Sequence, residues 1–163
     1  MSTLSIQRSS TNIHAVFDAD DLDQSLEFDS PIDHLVAVSH IRPSDHVVVI
    51  GRRPTEYLAR LVRCACLSAT GVDPAVLYLR KEPADIVWLT EIDDLEAATM
   101  VEVLKVHGVR VVAVELINSA AIAKLQPFLR RLRAKGLVRT SCRQVADRLV
   151  VTASRPEWLQ WVA

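Results

Sequence analysis

Three short apolar runs each lead straight into a stretch with helical spacing, and this alternation limits the folds open to the chain more than any other feature. "VVVI" (47–50) precedes Tyr57, Leu58, Leu61 and Val62 at helical intervals. "ADIVWLTEI" (84–92) precedes "DDLEAATMVEVLKVH", and "VRVVAVEL" (109–116) precedes "NSAAIAKLQPFLRRLRAKG". Apolar runs without polar alternation read as strands buried on both faces. Strands separated by helices must pair in parallel, because each crossover needs a helix to return the chain. Right-handed crossovers then place helices on both sides of the sheet. The end of the chain breaks this rule. "LVRTSCRQVADRLVVTAS" (137–154) reads as two strands around a tight turn near Ala146 and Asp147, and one strand of a hairpin must run against the rest. The expectation is an α/β three-layer sandwich with a mostly parallel sheet and a C-terminal antiparallel hairpin.

Local signals place the other elements. "SPIDHLVAVSHI" (30–41) reads as a helix, with Ser30 as cap, Pro31 in the first helical position and Ile32, Leu35, Val36 and Val38 on one broad face. The helix after Gly51 should begin near Pro54. The segment 93–107 carries acids in its first turn, which suits the helix dipole, and Gly108 stands where a capping glycine belongs. Asn118 caps the long helix, Pro127 should kink or restart it, and Gly136 stops it. The second strand falls either at 66–73 or at 75–80, and both placements stay open. Residues 1–28 are weakly periodic and acidic, so they are expected to form a poorly ordered arm before a single domain at 29–163. Trp158 and Trp161 are expected to pack on the sheet edge or on another subunit.

Composition bounds the setting. Half the residues are hydrophobic and the mean hydropathy is +0.19, but no apolar run approaches the roughly 20 residues of a membrane span. The first residues lack a basic segment followed by an apolar block, so no export signal is expected. Together with an odd number of cysteines (Cys64, Cys66, Cys142) this points to a reducing cytoplasm. The Cys64-x-Cys66 spacing is not the Cys-x-x-Cys of zinc or redox sites, and the five histidines are scattered, so no metal is expected. Charge is split unevenly: residues 1–34 hold seven acids against Arg8, while the rest of the chain holds 18 bases and 13 acids. Such a split suggests an acidic arm on a mildly basic body. Arg130, Arg131, Arg133 and Lys135 crowd a helix end, where bases are electrostatically ordinary. With few aromatics and a net charge of −1, the chain argues against nucleic-acid binding.

The order of elements, with "IRPSDHVVVIG" leading into the first turn, "TGVDP" ending a strand in an acid, and "LRRLRAKGLVRTSCRQVADRLVVTASRP" closing the fold, resembles class I S-adenosylmethionine-dependent methyltransferases with a Rossmann-like topology. The resemblance covers roughly residues 32–156. It implies a cofactor over Gly51, Arg52, Arg53 and Thr55, ribose hydroxyls on Asp73, and a substrate side near Thr90 and Glu91, with Glu91 as a possible base. The chain departs from the family at the turn. Val49 stands in the place of the acid, Gly51 keeps the first glycine, and Arg53 and Thr55 replace the second and third. Glycine belongs there because the backbone must let a ligand approach closely. "LTEI" replaces the Asn/Asp-Pro-Pro-aromatic motif of amino-group methyltransferases, and the segment between the second strand and residue 84 is shortened by about a helix and a strand.

Two functions follow. The first is a degenerate methyltransferase-like domain that has lost its cofactor and serves as a protein-binding or assembly module, for instance a homodimer through its apolar helices or the tryptophan tail. The alternative is an active methyltransferase that uses S-adenosylmethionine with an unusual turn. No catalytic residue is assigned. Arg52 and Arg53, beside a helix N-terminus, also suit an anion or an acidic segment such as residues 18–23.

Overall fold

A computed structural model describes residues 30–75, 83–104, 108–117 and 125–156. Along them run α1 (Pro31–Ser39), β1 (His46–Gly51), α2 (Pro54–Arg63), β2 (Ser68–Val72), β3 (Ile86–Ile92), α3 (Asp94–Val103), β4 (Val111–Leu116), α4 (Leu125–Ala134), β5 (Arg139–Val145) and β6 (Arg148–Ser154). The acidic arm and both C-terminal tryptophans lie outside the described residues. So does most of 75–80, one of the two placements of the second strand; the observed β2 is the other.

The described strands form one sheet in the order β2-β1-β3-β4-β6-β5. β1, β2, β3 and β4 are mutually parallel, and β6 runs antiparallel to both β4 and β5. The sheet is apolar on both faces, which is why the central strands lack alternation. On one face Val48, Ile50, Val87, Leu89, Val112 and Val114 meet Ala97, Met100 and Val101 of α3 and Phe128, Leu129 and Leu132 of α4. On the other, Val47, Val49, Trp88 and Ala113 meet Leu35 of α1 and Tyr57 and Leu61 of α2. Trp88 is fully buried, and its indole N–H donates to Ser39 Oγ at 2.8 Å. The architecture is the expected three-layer sandwich with its closing hairpin.

The N-terminal ends of the parallel strands are tied shut by polar staples. Asp45 accepts from the Arg42 backbone N–H and pairs with Arg110 at 2.5 Å, and Asp85 accepts from the His46 backbone N–H at 2.8 Å. At the opposite ends β1 and β3 run into turns.

Several boundaries differ from expectation. Ser30 holds the cap position of α1, but its side chain makes no capping bond; Pro31 supplies the start. α3 closes at Val103 rather than at 107, because Leu104 turns extended and buries its side chain in the core. Gly108, at φ 81, therefore lies beyond that end. Pro127 lies within α4, two residues after the first described residue of that helix. No described helix is long and apolar enough to cross a membrane.

Candidate functional site

From β1 the chain moves to β2 on one side and then to β3 on the other, so the strand order reverses between β1 and β3. In open α/β sheets ligands bind beyond the strand ends at such a switch point. Gly51 and Thr90 meet there, and Arg53 reaches Glu91.

Gly51 is paired with Thr90 in register. A Cβ on Gly51 would lie 2.7 Å from the Thr90 carbonyl oxygen and closer still to Thr90 Oγ1. The glycine thus serves close approach between two strands. Thr90 is fully buried, with Oγ1 3.4 Å from the Ile50 carbonyl oxygen. Val49, in the place of the family's acid, is buried in the apolar layer against α2. Thr55 lies exposed in the first turn of α2. Asp73, just past β2, is exposed and accepts a hydrogen bond from the Ala75 backbone N–H at 2.8 Å, the geometry of an Asx turn.

The two arginines of the turn part company. Arg52 pairs with Glu96 at 2.7 Å, and Glu96 also completes a capping box with Asp93 at the start of α3. Arg53 crosses the switch point and grips Glu91 with a fork: Nε donates to Oε2 at 3.0 Å and Nη2 donates to Oε1. Both guanidinium groups are thus matched to acids of this chain.

Glu91 reaches its position through an irregularity in β3. Leu89 pairs with Val114 and Ile92 with Leu116, so Thr90 and Glu91 together face the single residue Glu115. Glu91 takes a left-handed φ of 54° within this bulge. Bulges re-aim side chains, and this one delivers a carboxylate to two bases, since Arg148 Nη2 lies 3.6 Å from Glu91 Oε1. Arg148, the first residue of β6, also pairs with Glu115 at 3.0 Å, and Tyr57 of α2 donates its hydroxyl to Glu115 Oε2.

The result is a chain of groups, Arg53–Glu91–Arg148–Glu115–Tyr57, drawn from four elements: α2 with its N-cap, β3, β4 and β6. Glu115 is 2% exposed and Glu91 is 9%. Arg53 holds the Glu91 carboxyl below the usual glutamate range. Burial pushes Glu115 upward, against the opposing pull of Tyr57 and Arg148. Burial and the bond to Glu115 hold the Tyr57 proton more tightly than in water. Glu91 and Tyr57 are thereby both moved away from the neutral range in which a general acid or base works best. Tyr57, Glu115 and Arg148 were not singled out from the sequence. Glu115 had a signal: it is the lone charge inside the apolar run 111–116, and buried charges require partners.

The described residues hold no group of three or more His, Cys, Asp or Glu suited to a metal ion. Cys64, Cys66 and Cys142 are free thiols, and burial pushes Cys142 up to about 12.

No family model and no curated protein matches the sequence. Solved structures do. A protein of the NADB-Rossmann superfamily from Streptococcus agalactiae is similar over 82% of this chain and 70% of its own, at 11% identity and a TM-score of 0.56. A release-factor-specific protein-(glutamine-N5) methyltransferase from Alicyclobacillus acidocaldarius is similar over 77% of this chain and 90% of its own, at 18% identity and a TM-score of 0.56. The chain has a class I methyltransferase-like, Rossmann-like fold.

Proposed function

We propose that this domain keeps the methyltransferase-like frame, has given up S-adenosylmethionine, and works as a protein-binding or assembly domain. The observation that carries this reading is the Arg53–Glu91 pair, which spans the switch point where a nucleoside would enter. The surroundings fit the cofactor poorly. Thr90 occupies the space beside Gly51, Asp73 turns one oxygen to its own backbone, and Val49 and Thr55 offer neither the acid nor the third glycine. Val62 and Leu67 support the assembly role. They are 70% and 82% exposed and lie on either side of the turn from α2 into the edge strand β2, an arrangement suited to a partner or a second copy. Three free cysteines support a reducing, cytoplasmic setting.

A second reading, an active methyltransferase, is favoured by one observation: the Arg53 side chain is 64% exposed, so it has room to swing into solvent and release Glu91. Thermal unfolding with S-adenosylmethionine and S-adenosylhomocysteine separates the two. A ligand at 100 times its dissociation constant stabilises by about 2.7 kcal/mol, a rise of several degrees for a chain of this size. No rise is expected at millimolar ligand, while sedimentation of the same sample should show a mass above the monomer or a partner-dependent shift. A clear rise with either ligand would favour the enzyme.

A further inference from the structure

We infer that the basic edge of the sheet, β5 with the exposed side of α4, is the docking surface for the chain's own acidic segment, residues 18–29. The inference does not depend on the state of the switch-point crevice.

Between residues 125 and 156 the chain carries eight arginines and lysines against one acid, Asp147. Structure gathers several of them around one strand. β5 is the last strand of the sheet. Val145 packs into the layer beneath α1, so strand alternation turns Arg143 and Arg139 toward that same side. Ser141 lies between them and is bonded to Thr152 at 2.5 Å. Arg133 of α4 reaches β5 from the opposite face, with Nη2 3.4 Å from Thr140 Oγ1. The positive charge therefore wraps the strand rather than forming an isolated stripe on α4.

Three candidate occupants differ in chemistry. A second copy pairing edge to edge would set arginines against arginines, which such charges on edge strands act to prevent. A nucleic acid would meet a chain with net charge −1, repelled by the acidic segment itself. That segment is the better match. Asp18, Asp20, Asp21, Asp23, Glu27 and Asp29 place six acids in the twelve residues that end where α1 begins. α1 packs on β4 and β6, and β6 is the direct neighbour of β5. Arg143 lies near enough to His34 of α1 that its charge, added to burial, helps hold that imidazole neutral. The root of the segment, Ser30, lies beside Arg60 and Arg63 of α2, on the face of the sheet toward which Arg139 and Arg143 turn. Twelve residues reach at most about 40 Å when fully extended, enough to cross that face to β5. A tether of that length gives a millimolar effective concentration, enough for individually weak ion pairs to act together.

The test uses the full chain and a fluorescent synthetic peptide copying residues 14–29. In the native chain the internal segment should already cover the surface. In a variant with D18N, D20N, D21N, D23N, E27Q and D29N the surface should be open. At low salt the peptide should bind that variant at least about tenfold more tightly than it binds the native chain. Adding R139E and R143E, or 0.5 M NaCl, should abolish the difference. Unchanged melting curves would show that the reversals leave the fold intact, and R139Q with R143Q supplies a milder pair with an intermediate loss. Equal peptide affinity for native and neutralised chains would overturn the inference, as would indifference to the arginine changes. A short RNA that binds the native chain as tightly as the neutralised one would overturn it too, because the surface would then be open to nucleic acid.

Discussion

Among the site residues, Glu91 takes a left-handed backbone, with a φ of 54°, a region that a residue with a Cβ enters at about 1 kcal/mol or more. The bulge in β3 imposes that conformation, and the ion pair with Arg53 offsets it. Glu91→Ala and Glu91→Gly both remove the carboxylate, but only glycine relaxes the backbone. The glycine variant should therefore be the more stable of the two by about 1 kcal/mol, the reverse of the usual strand order. Urea unfolding of the pair checks this, and an alanine variant equal to or better than glycine would contradict it. The same residue sets a pH dependence. Its folded pKa is lowered by Arg53 from the ordinary 4.5, so its contribution is present above the unfolded value and is lost as pH falls through the folded one. Glu115 has the opposite sign. Burial raises its pKa, so it favours the fold at low pH and loses that contribution as pH rises through its folded value. Glu91→Gln should accordingly flatten the acid side of the stability profile below about pH 4.5, leaving any rise due to Glu115 in place.

At the level of elements, legibility in the sequence followed burial. β1, β3 and β4 are buried along almost their whole length, so their residues had to be continuous apolar runs and announced themselves. β2 is an edge strand, part exposed, in the sequence Ser-Ala-Thr-Gly-Val, and nothing in that pattern chose between its two placements. The end of α3 was misplaced because the pull of buried Leu104 into the core is a tertiary effect that the helical spacing of 93–107 does not contain. The site was legible as positions and not as contacts. Arg53 was named at the turn and Glu91 at the end of a later strand, 38 residues away, and only the switch point brings them together. The hairpin was legible in place but not in strain. Val145 pairs with Arg148 around a two-residue turn, and Ala146 takes φ 51° there while Asp147 is not among the residues of positive φ. A positive φ at the first turn position alone is the type II′ pattern, which favours glycine. Ala146→Gly should raise stability by about 0.5–1 kcal/mol in chemical denaturation, and a loss would mean that the turn does not have this geometry.

Across the whole molecule, apolar burial falls off from the middle of the sheet to its edges, with the Glu91–Arg148–Glu115 pairs as the exception at the strand ends. The three central strands hold the apolar residues that join both layers, while the sheet edges hold the polar and charged ones: β2 at one side is part exposed, and β5 at the other carries Arg139 and Arg143. Opening either edge uncovers little apolar surface, whereas separating β3 from β4 uncovers parts of both cores at once. Local opening should therefore be graded across the sheet instead of uniform. In native-state hydrogen exchange, amides of β1, β3 and β4 should exchange only by global unfolding, and those of β2 should exchange through smaller openings at least tenfold faster than β3. β6 decides the closing step of the fold. It is antiparallel and late in the chain, yet it pairs with β4 over six residues and buries Leu149, Val150 and Val151. If the hairpin is integral to the core, its β6 amides should share the slow rate of β4, with the outer strand β5 faster. Equal, rapid exchange of both hairpin strands would instead make the hairpin a separable attachment, and the Arg148 contacts at the switch point would then come and go with it.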